Sequence, residues 1–361
     1  MAAIDQIATF LPRDRYSIVV SGLADLVTAL AVLRERGVSL NAVAQRASVA
    51  LYGGALSLPE AMVREFVEVC GVAFPGLKVE VWRFADAAGE EAILRDVDVA
   101  EARFTRRVVV GNLLHSPAHR RLYAAMNPRH FVFYDNGLSS YADYKLSLEE
   151  ELADWRRAPN FDAYLTHGDA LGVPSYLGAA PPETLSVESF RTVYEHLQEA
   201  CVDRAAMLDG ESLLILGTSF YRTKLISLED ERDLHQRLIA DVRRRFSGRV
   251  VYKPHPRCDE ELLGPGDAVE VLRSSMPVEA LVAAPGGHAF SFSSTALSTL
   301  QDHCGWRAHR AAHPLMDKVF ANRRQLQKIY AIPASTDIFA EYADNADTYS
   351  GIPKAAGGHA R

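Results

Sequence analysis

Short apolar runs and amphipathic stretches alternate along this chain. YSIVVSG (16–22), RASVALYGG (46–54), RRVVVGN (106–112) and the start of HFVFYDNGLSSY (130–141) have the length and the β-branched or aromatic content of buried strands. Between them, LADLVTALAVLRERG (23–37), PEAMVREFVEVCGVAF (59–74) and SPAHRRLYAAM (116–126) carry apolar residues at helical spacing, the first closed by Gly37. With LKVEVWRF (77–84) the pattern predicts a first layer of five or so strands. Strand and helix in strict alternation make a parallel sheet covered by helices.

APPETLSVESF (180–190) breaks both periodicities with prolines and polar residues, and reads as a hinge. Beyond it the rhythm resumes: a helix RTVYEHLQEACVDRAAML (191–208), a strand in SLLILGTSF (212–220), the helix EDERDLHQRLIADVRRRF (229–246), GRVVYKPHP (248–256), AVEVLR (268–273), MPVEALVAA (276–284), HAFSFSS (288–294) and TALSTLQDHC (295–304). The expected fold class is therefore α/β, with two Rossmann-like domains spanning 1–185 and 186–335. A small, polar tail follows at 336–361.

Composition narrows the function. The 361 residues, 48% hydrophobic and 24% charged, suit a globular protein of two ordinary domains. A formal net charge of -7 disfavours a nucleic-acid partner. The basic run Arg243-Arg244-Arg245 sits in a charge-mixed helical segment and reads as a solvated face. No basic flank precedes a long apolar run at the start and no stretch approaches a membrane span, so a cytoplasmic chain is expected. Cys70, Cys201, Cys258 and Cys304 lack paired spacing and read as reduced thiols.

Three strand ends carry the candidate chemistry. In FVFYDNG the strand stops at Asp135-Asn136-Gly137, a strong turn signal that also leaves a carboxylate where a hydroxyl could lose its proton. In VVYKPHPR, Pro254 and Pro256 end the strand and fix His255 on a stiff turn beside Lys253 and Arg257. In FSFSSTAL the strand runs through Ser293-Ser294-Thr295 into an apolar helix, where hydroxyls and amides form either a plain cap or a phosphate cradle. Glu279 lies just inside a helix start after Pro277, favourable toward the helix dipole and also able to accept hydroxyls of a ribose.

Order and spacing join these sites. An acidic-x-Gly motif, a His-Pro motif, a Pro-x-Glu 24 residues after His255, and a Ser pair 14 to 15 residues beyond Glu279 resemble the bacterial GT-B-type sialyltransferases that include lipooligosaccharide sialyltransferases and capsule polysialyltransferases. The resemblance implies two Rossmann-like domains facing each other across a cleft. It implies Asp135 as the general base. His255 would bind the phosphate of departing CMP and act as its acid, with Ser293 and Ser294 on the same phosphate and Glu279 on the ribose. Lys253, Pro256, Thr295, Gly217 and Thr218 fall beside them as donor contacts, and Asn136, Gly137, His115 and Asn112 on the acceptor side. Asn136 stands where the family carries a second acidic residue, so the base role rests on Asp135 alone.

The implied reaction moves a nonulosonic acid, most simply sialic acid, from its CMP donor to a glycan hydroxyl of a bacterial lipooligosaccharide or capsule, with inversion. The acceptor could be lipid-linked and the enzyme peripheral to the inner face of the cytoplasmic membrane. CMP leaves as a monophosphate, whose charge one histidine, a lysine and several neutral donors can stabilise, so no metal or other cofactor is expected. Asp96-Val97-Asp98 lies in a charged helical segment and does not read as a metal motif; Pro117 spoils His115 and His119 as a zinc pair. Two rivals remain: a UDP-sugar transferase or epimerase of the same fold, and a catalytically degenerate sugar-nucleotide-binding subunit.

Overall fold

In the computed structural model, the described residues are 15–54, 58–101, 107–112, 116–135, 160–166, 177, 182–201, 207–222, 224–258, 262–263 and 269–311. The chain divides into two compact units, 1–201 and 202–361.

The first unit runs β1 (Arg15–Val20), α1 (Leu23–Glu35), α2 (Leu40–Arg46), β2 (Ala47–Gly54), α3 (Glu60–Ala73), β3 (Lys78–Phe84), α4 (Ala87–Glu101), β4 (Arg107–Gly111), α5 (Pro117–Met126), β5 (His130–Tyr134), β6 (Asn160–Leu165), β7 (Glu183–Thr184) and α6 (Val187–Cys201). Its seven strands are parallel in the order β3-β2-β1-β4-β5-β6-β7, with Tyr16 opposite both Ala47 and Val108 and with Val108 opposite His130. The order reverses between β1 and β4. In such sheets ligands bind outside the carboxyl ends of the strands at that reversal. Val19, Tyr52, Val109, Phe131 and Phe133 of the sheet pack on Leu122, Tyr123 and Met126 of α5, each such side chain contributing about 1.5–3 kcal/mol by leaving water.

The second unit repeats the plan with β8 (Ser212–Leu216), α7 (Leu228–Arg245), β9 (Arg249–Lys253), β10 (Glu270–Val271), a 3-10 turn (Val278–Leu281), β11 (His288–Ser291), α8 (Ala296–Cys304) and β12 (Arg307–Arg310). Its parallel order is β10-β9-β8-β11-β12, so the reversal lies between β8 and β11. Leu213, Ile215, Tyr252 and Phe290 meet Leu234, Leu238 and Val242 of α7. That helix is closed by a capping box between Ser227 and Asp230, carries Glu229, Asp230 and Glu231 in its first turn, and ends in Arg243, Arg244 and Arg245. Acid at the start and base at the end both oppose the helix dipole, which accounts for the basic run.

The α/β class and the two-unit plan hold, while several boundaries move. The first sheet has seven strands because β6 and β7 extend it. The motif NFDAYL hid β6 behind Asp162, whose carboxylate pairs with Arg36 and is hydrogen-bonded to His130 at 2.8 Å. The hinge does not fall at 180–190: α6 packs on α1 and α3, so the division between units comes after Cys201. Glu279 lies in a single 3-10 turn, Val278–Leu281, not a longer helix. RAHR was passed over as a strand, yet Ala308 and His309 of β12 are buried. Residues 312–335 of the expected second domain and the whole tail lie outside the described residues, and no described helix is long and apolar enough to cross a membrane.

Candidate active site

Asp135 follows directly on β5, on the carboxyl edge of the first sheet, and is 1% exposed. Its amide continues the ladder to the Tyr164 carbonyl at 3.2 Å. Thr166, just past β6, donates its hydroxyl to Oδ1 at 2.7 Å and its amide to Oδ2 at 3.0 Å. Both carboxylate oxygens are thereby oriented by one neighbouring residue, which the sequence reading did not single out. The only signal for Thr166 is its place at the end of the adjacent strand.

The reversal between β1 and β4 is lined by buried polar groups. Ser21 follows β1, its amide donating to Asp25 at 2.8 Å. Its hydroxyl lies 3.4 Å from His119 Nε2, whose Nδ1 is 3.1 Å from the Ser116 hydroxyl. Asn112 follows β4 and is fully buried. Tyr123 holds its backbone from both sides, accepting from the amide at 3.1 Å and donating to the carbonyl at 2.8 Å. Gly111 makes this possible, because a Cβ there would collide with the Tyr123 hydroxyl. The Asn112 carboxamide has no hydrogen-bond partner among the described residues. Nearby, Tyr52 donates to Glu90 at 3.0 Å and Arg121 grips both Glu90 oxygens at 2.7 Å. Asn136, Gly137 and His115 lie outside the described residues.

On the second unit, His255 sits in the turn after β9. The Arg257 amide donates to its Nδ1 at 3.1 Å, so the neutral ring carries its proton on Nε2. Burial, then the charges of Arg257 and Lys253, push its pKa down to about 3. The ring is therefore a neutral Nε2–H donor at neutral pH. Lys253 is buried at the end of β9, donates to the Ser274 carbonyl and also stands near Glu279. Glu279 is buried, with Thr299 of α8 donating to its carboxylate, and desolvation raises its pKa. Pro256 is exposed.

Ser293 is exposed and Ser294 and Thr295 are half-buried at the start of α8. Ser294 Oγ accepts the Ala296 amide at 3.3 Å, while Thr295, the cap, makes no side-chain capping bond. The cap reading thus accounts for Ser294 and leaves Thr295 unexplained.

Gly217 and Thr218 differ from their expected role. The Gly217 amide donates to the Lys253 carbonyl at 2.8 Å, and a Cβ on it would stand 2.7 Å from Tyr252 Oη and 3.0 Å from the His255 nitrogen. Gly217 therefore lets the loop after β8 lie against the His255 turn. Thr218 is 3% exposed and turns inward: its amide donates to His235 Nε2 at 3.3 Å and its hydroxyl to Glu231 at 2.5 Å. Neither donor of Thr218 is left for a nucleotide phosphate. The sequence reading also passed over Glu231 and His235, although their four-residue spacing puts both on one face of α7.

Asp96 is exposed on α4 while Val97 is buried, a helix-surface placement. None of the four cysteines forms a disulfide, and burial pushes the Cys70 thiol up to about 12.

Comparisons with known proteins bear on this arrangement. A search of curated proteins finds no significant match. Among solved structures, similarity extends to a 2,6-sialyltransferase from a Photobacterium species, solved with CMP and lactose, at 12% identity over 90% of this chain and 77% of that one, TM-score 0.48. It extends also to the UDP-N-acetylglucosamine 2-epimerase of Rickettsia bellii (15% identity, 93% and 94% covered, TM-score 0.48). The Phytolacca americana UGT2, complexed with UDP-2-fluoro-glucose and pterostilbene, gives 10% identity, 93% and 95% covered, and TM-score 0.41. The alpha-2,8-polysialyltransferase family model matches residues 90–306, a span that takes in Asp135, His255, Glu279 and the Ser293–Ser294 pair. With well over half of its length matched, the chain belongs to the alpha-2,8-polysialyltransferase family and is a glycosyltransferase.

Proposed function

We propose that this chain transfers sialic acid, or a close nonulosonic relative, from its CMP-activated donor to a glycan hydroxyl, with inversion and without a metal. The acceptor hydroxyl loses its proton to Asp135 as its oxygen forms a bond to the anomeric carbon. The bond from that carbon to the phosphate oxygen breaks on the opposite face, and CMP departs as a monophosphate. Asp135 suits the first task because Thr166 orients both of its oxygens.

The observation that carries the reading is the state of His255. A neutral ring with Nε2–H as its one donor is set up to hydrogen-bond a phosphate oxygen. In the ligand-free protein it is not an imidazolium, so its first role is donor. It becomes an acid only once the negative phosphate has raised its pKa. Ser293 and Thr295 at the start of α8 add hydroxyls to the same phosphate, and Glu279 accepts from the ribose. A phosphate monoester is a good enough leaving group to depart with this set alone. In this reading the enzyme works in the cytoplasm on a bacterial surface glycan, lipid-linked or free.

Release of CMP from CMP-sialic acid is the direct assay, run with sialylated and unsialylated oligosaccharide acceptors in EDTA. Acceptor-dependent release that persists in EDTA and is lost in His255→Ala supports the reading. Turnover of a UDP-sugar instead, or turnover only with added metal, overturns it.

A further inference from the structure

The loop after β8 lies at the reversal point of the second sheet, where the amides of a nucleotide-binding unit commonly converge on a phosphate. Here the amides of Gly217, Thr218, Phe220 and Tyr221 are already occupied. Phe220 donates to Glu231 Oε1 at 3.0 Å and Tyr221 to Oε2 at 2.8 Å, and the Thr218 hydroxyl donates to Oε1 at 2.5 Å. The Thr218 amide goes to His235 Nε2, which is kept as an acceptor because Nδ1 donates to the Glu231 carbonyl at 2.8 Å. The Gly217 amide goes to the Lys253 carbonyl. A fully buried carboxylate thus sits in the concavity that an anionic ligand would otherwise fill.

Burying a carboxylate is costly unless it is fully hydrogen-bonded, and Glu231 is bonded by three donors from a single four-residue stretch. Fixing α7 in place would need none of them. The capping box already anchors that helix, and Leu234, Leu238 and Val242 bury its apolar face. What the three bonds fix is the loop, and the loop in turn carries the His255 turn. Gly217 abuts Pro254 and His255, and the Tyr221 hydroxyl lies 3.7 Å from Cys258 Sγ, in the turn closed by the bond from the Cys258 amide to the His255 carbonyl at 2.8 Å.

We propose that Glu231, seconded by His235, is the positioning residue of the donor site: its carboxylate fills the β8 loop as a built-in anion, holds that loop against the His255 turn, and so directs the donor phosphate to His255 and the start of α8. The donor half of this inference rests on the CMP-sugar reading above; the coupling of Glu231 to His255 does not. Glu231→Gln is nearly isosteric, but its amide nitrogen must face a backbone N–H, so one loop bond becomes a repulsion. Thr218→Val removes a single bond and leaves the two amide bonds intact.

The test uses the full chain and two measurements. The first is ¹⁵N NMR of His255 without nucleotide. The wild type should show one Nε2–H tautomer that does not titrate above about pH 4, whereas in Glu231→Gln the tautomers should mix and the ring should titrate upward toward the ordinary value of about 6.5. The second is calorimetric titration with CMP, whose affinity should fall at least tenfold in Glu231→Gln and less in Thr218→Val. Unchanged His255 signals and unchanged CMP affinity, with only a lower melting temperature, would reduce Glu231 to a structural group and overturn the proposal. If Glu231→Gln does not fold, Thr218→Val decides it: an unperturbed His255 there refutes the coupling. A wild type that does not bind CMP overturns the donor reading instead, and the NMR arm still judges Glu231.

Discussion

The two units share one plan and place different side chains at its strand ends. Each is a parallel sheet whose order reverses beside its first strand, with the candidate site residues on the carboxyl edge. On the first unit that edge gathers carboxylates and phenols: Asp25, Glu90, Asp135, Tyr52, Tyr123 and Tyr134, all buried. On the second it gathers Lys253, His255 and Arg257 with the hydroxyls of Ser293 to Thr295, while the buried carboxylates of Glu231 and Glu279 are each held by a threonine hydroxyl. The topology supplies the position of a site and says nothing of its sign; the residues at the strand ends decide whether the edge takes a proton or holds an anion.

That contrast breaks most clearly by deleting the proposed base. Asp135→Ala should cut transfer by about a hundredfold or more, within the range for a general base, while leaving CMP affinity within twofold. Initial rates and calorimetry on the same preparation check it. Next in size is Gly217→Ala, on the second unit alone. Its new methyl meets Tyr252 and the His255 backbone, an overpacking that should cost about 1–3 kcal/mol of stability and weaken CMP binding about tenfold. Thermal melts and CMP titration read both effects.

Acid should sharpen the comparison. The folded second unit refuses protons at His255, down to about 3, and at His309, down to about 4 through burial and the nearby His288 and Arg307; His235 is lowered by burial as well. The unfolded chain takes protons at these imidazoles from about pH 6.5. Stability from these groups is therefore complete above about pH 6.5 and is lost as the pH falls toward 4 at His309 and toward 3 at His255. On the first unit Asp162, held at about 2 by His130 and Arg36, keeps its contribution above the ordinary aspartate value near 4 and loses it only below. Hydrogen exchange resolved by unit, at pH 7 and pH 4.5, should show the second unit opening first. The smallest effect is local: Ser227→Ala removes the α7 capping box and should cost about 1 kcal/mol without changing CMP affinity.

Much of this was legible because strands buried on both faces leave unbroken apolar runs, and helices between them leave a clean period. The three strand-end loops were legible for a related reason: Asp135, His255 and Ser293-Ser294 stand where such runs stop. What escaped the sequence was set by tertiary partners. Strand β6 carries a charge that its bonds to Arg36 and His130 accommodate. The helix expected at 191–208 starts earlier, at Val187, inside the stretch read as a hinge, and nothing in its sequence says which sheet it will cover. Thr218 reads as a loop threonine open to ligand until Glu231, thirteen residues on, turns it inward. Spacing along the chain could not register that pair, because the loop between them has no period.

The division of labour is tested most directly by titrating the wild type, Asp135→Asn and His255→Ala with CMP in EDTA. The account predicts that CMP binds the wild type and Asp135→Asn alike and that His255→Ala loses at least tenfold in affinity. Loss of binding in Asp135→Asn, or full binding in His255→Ala, would contradict it.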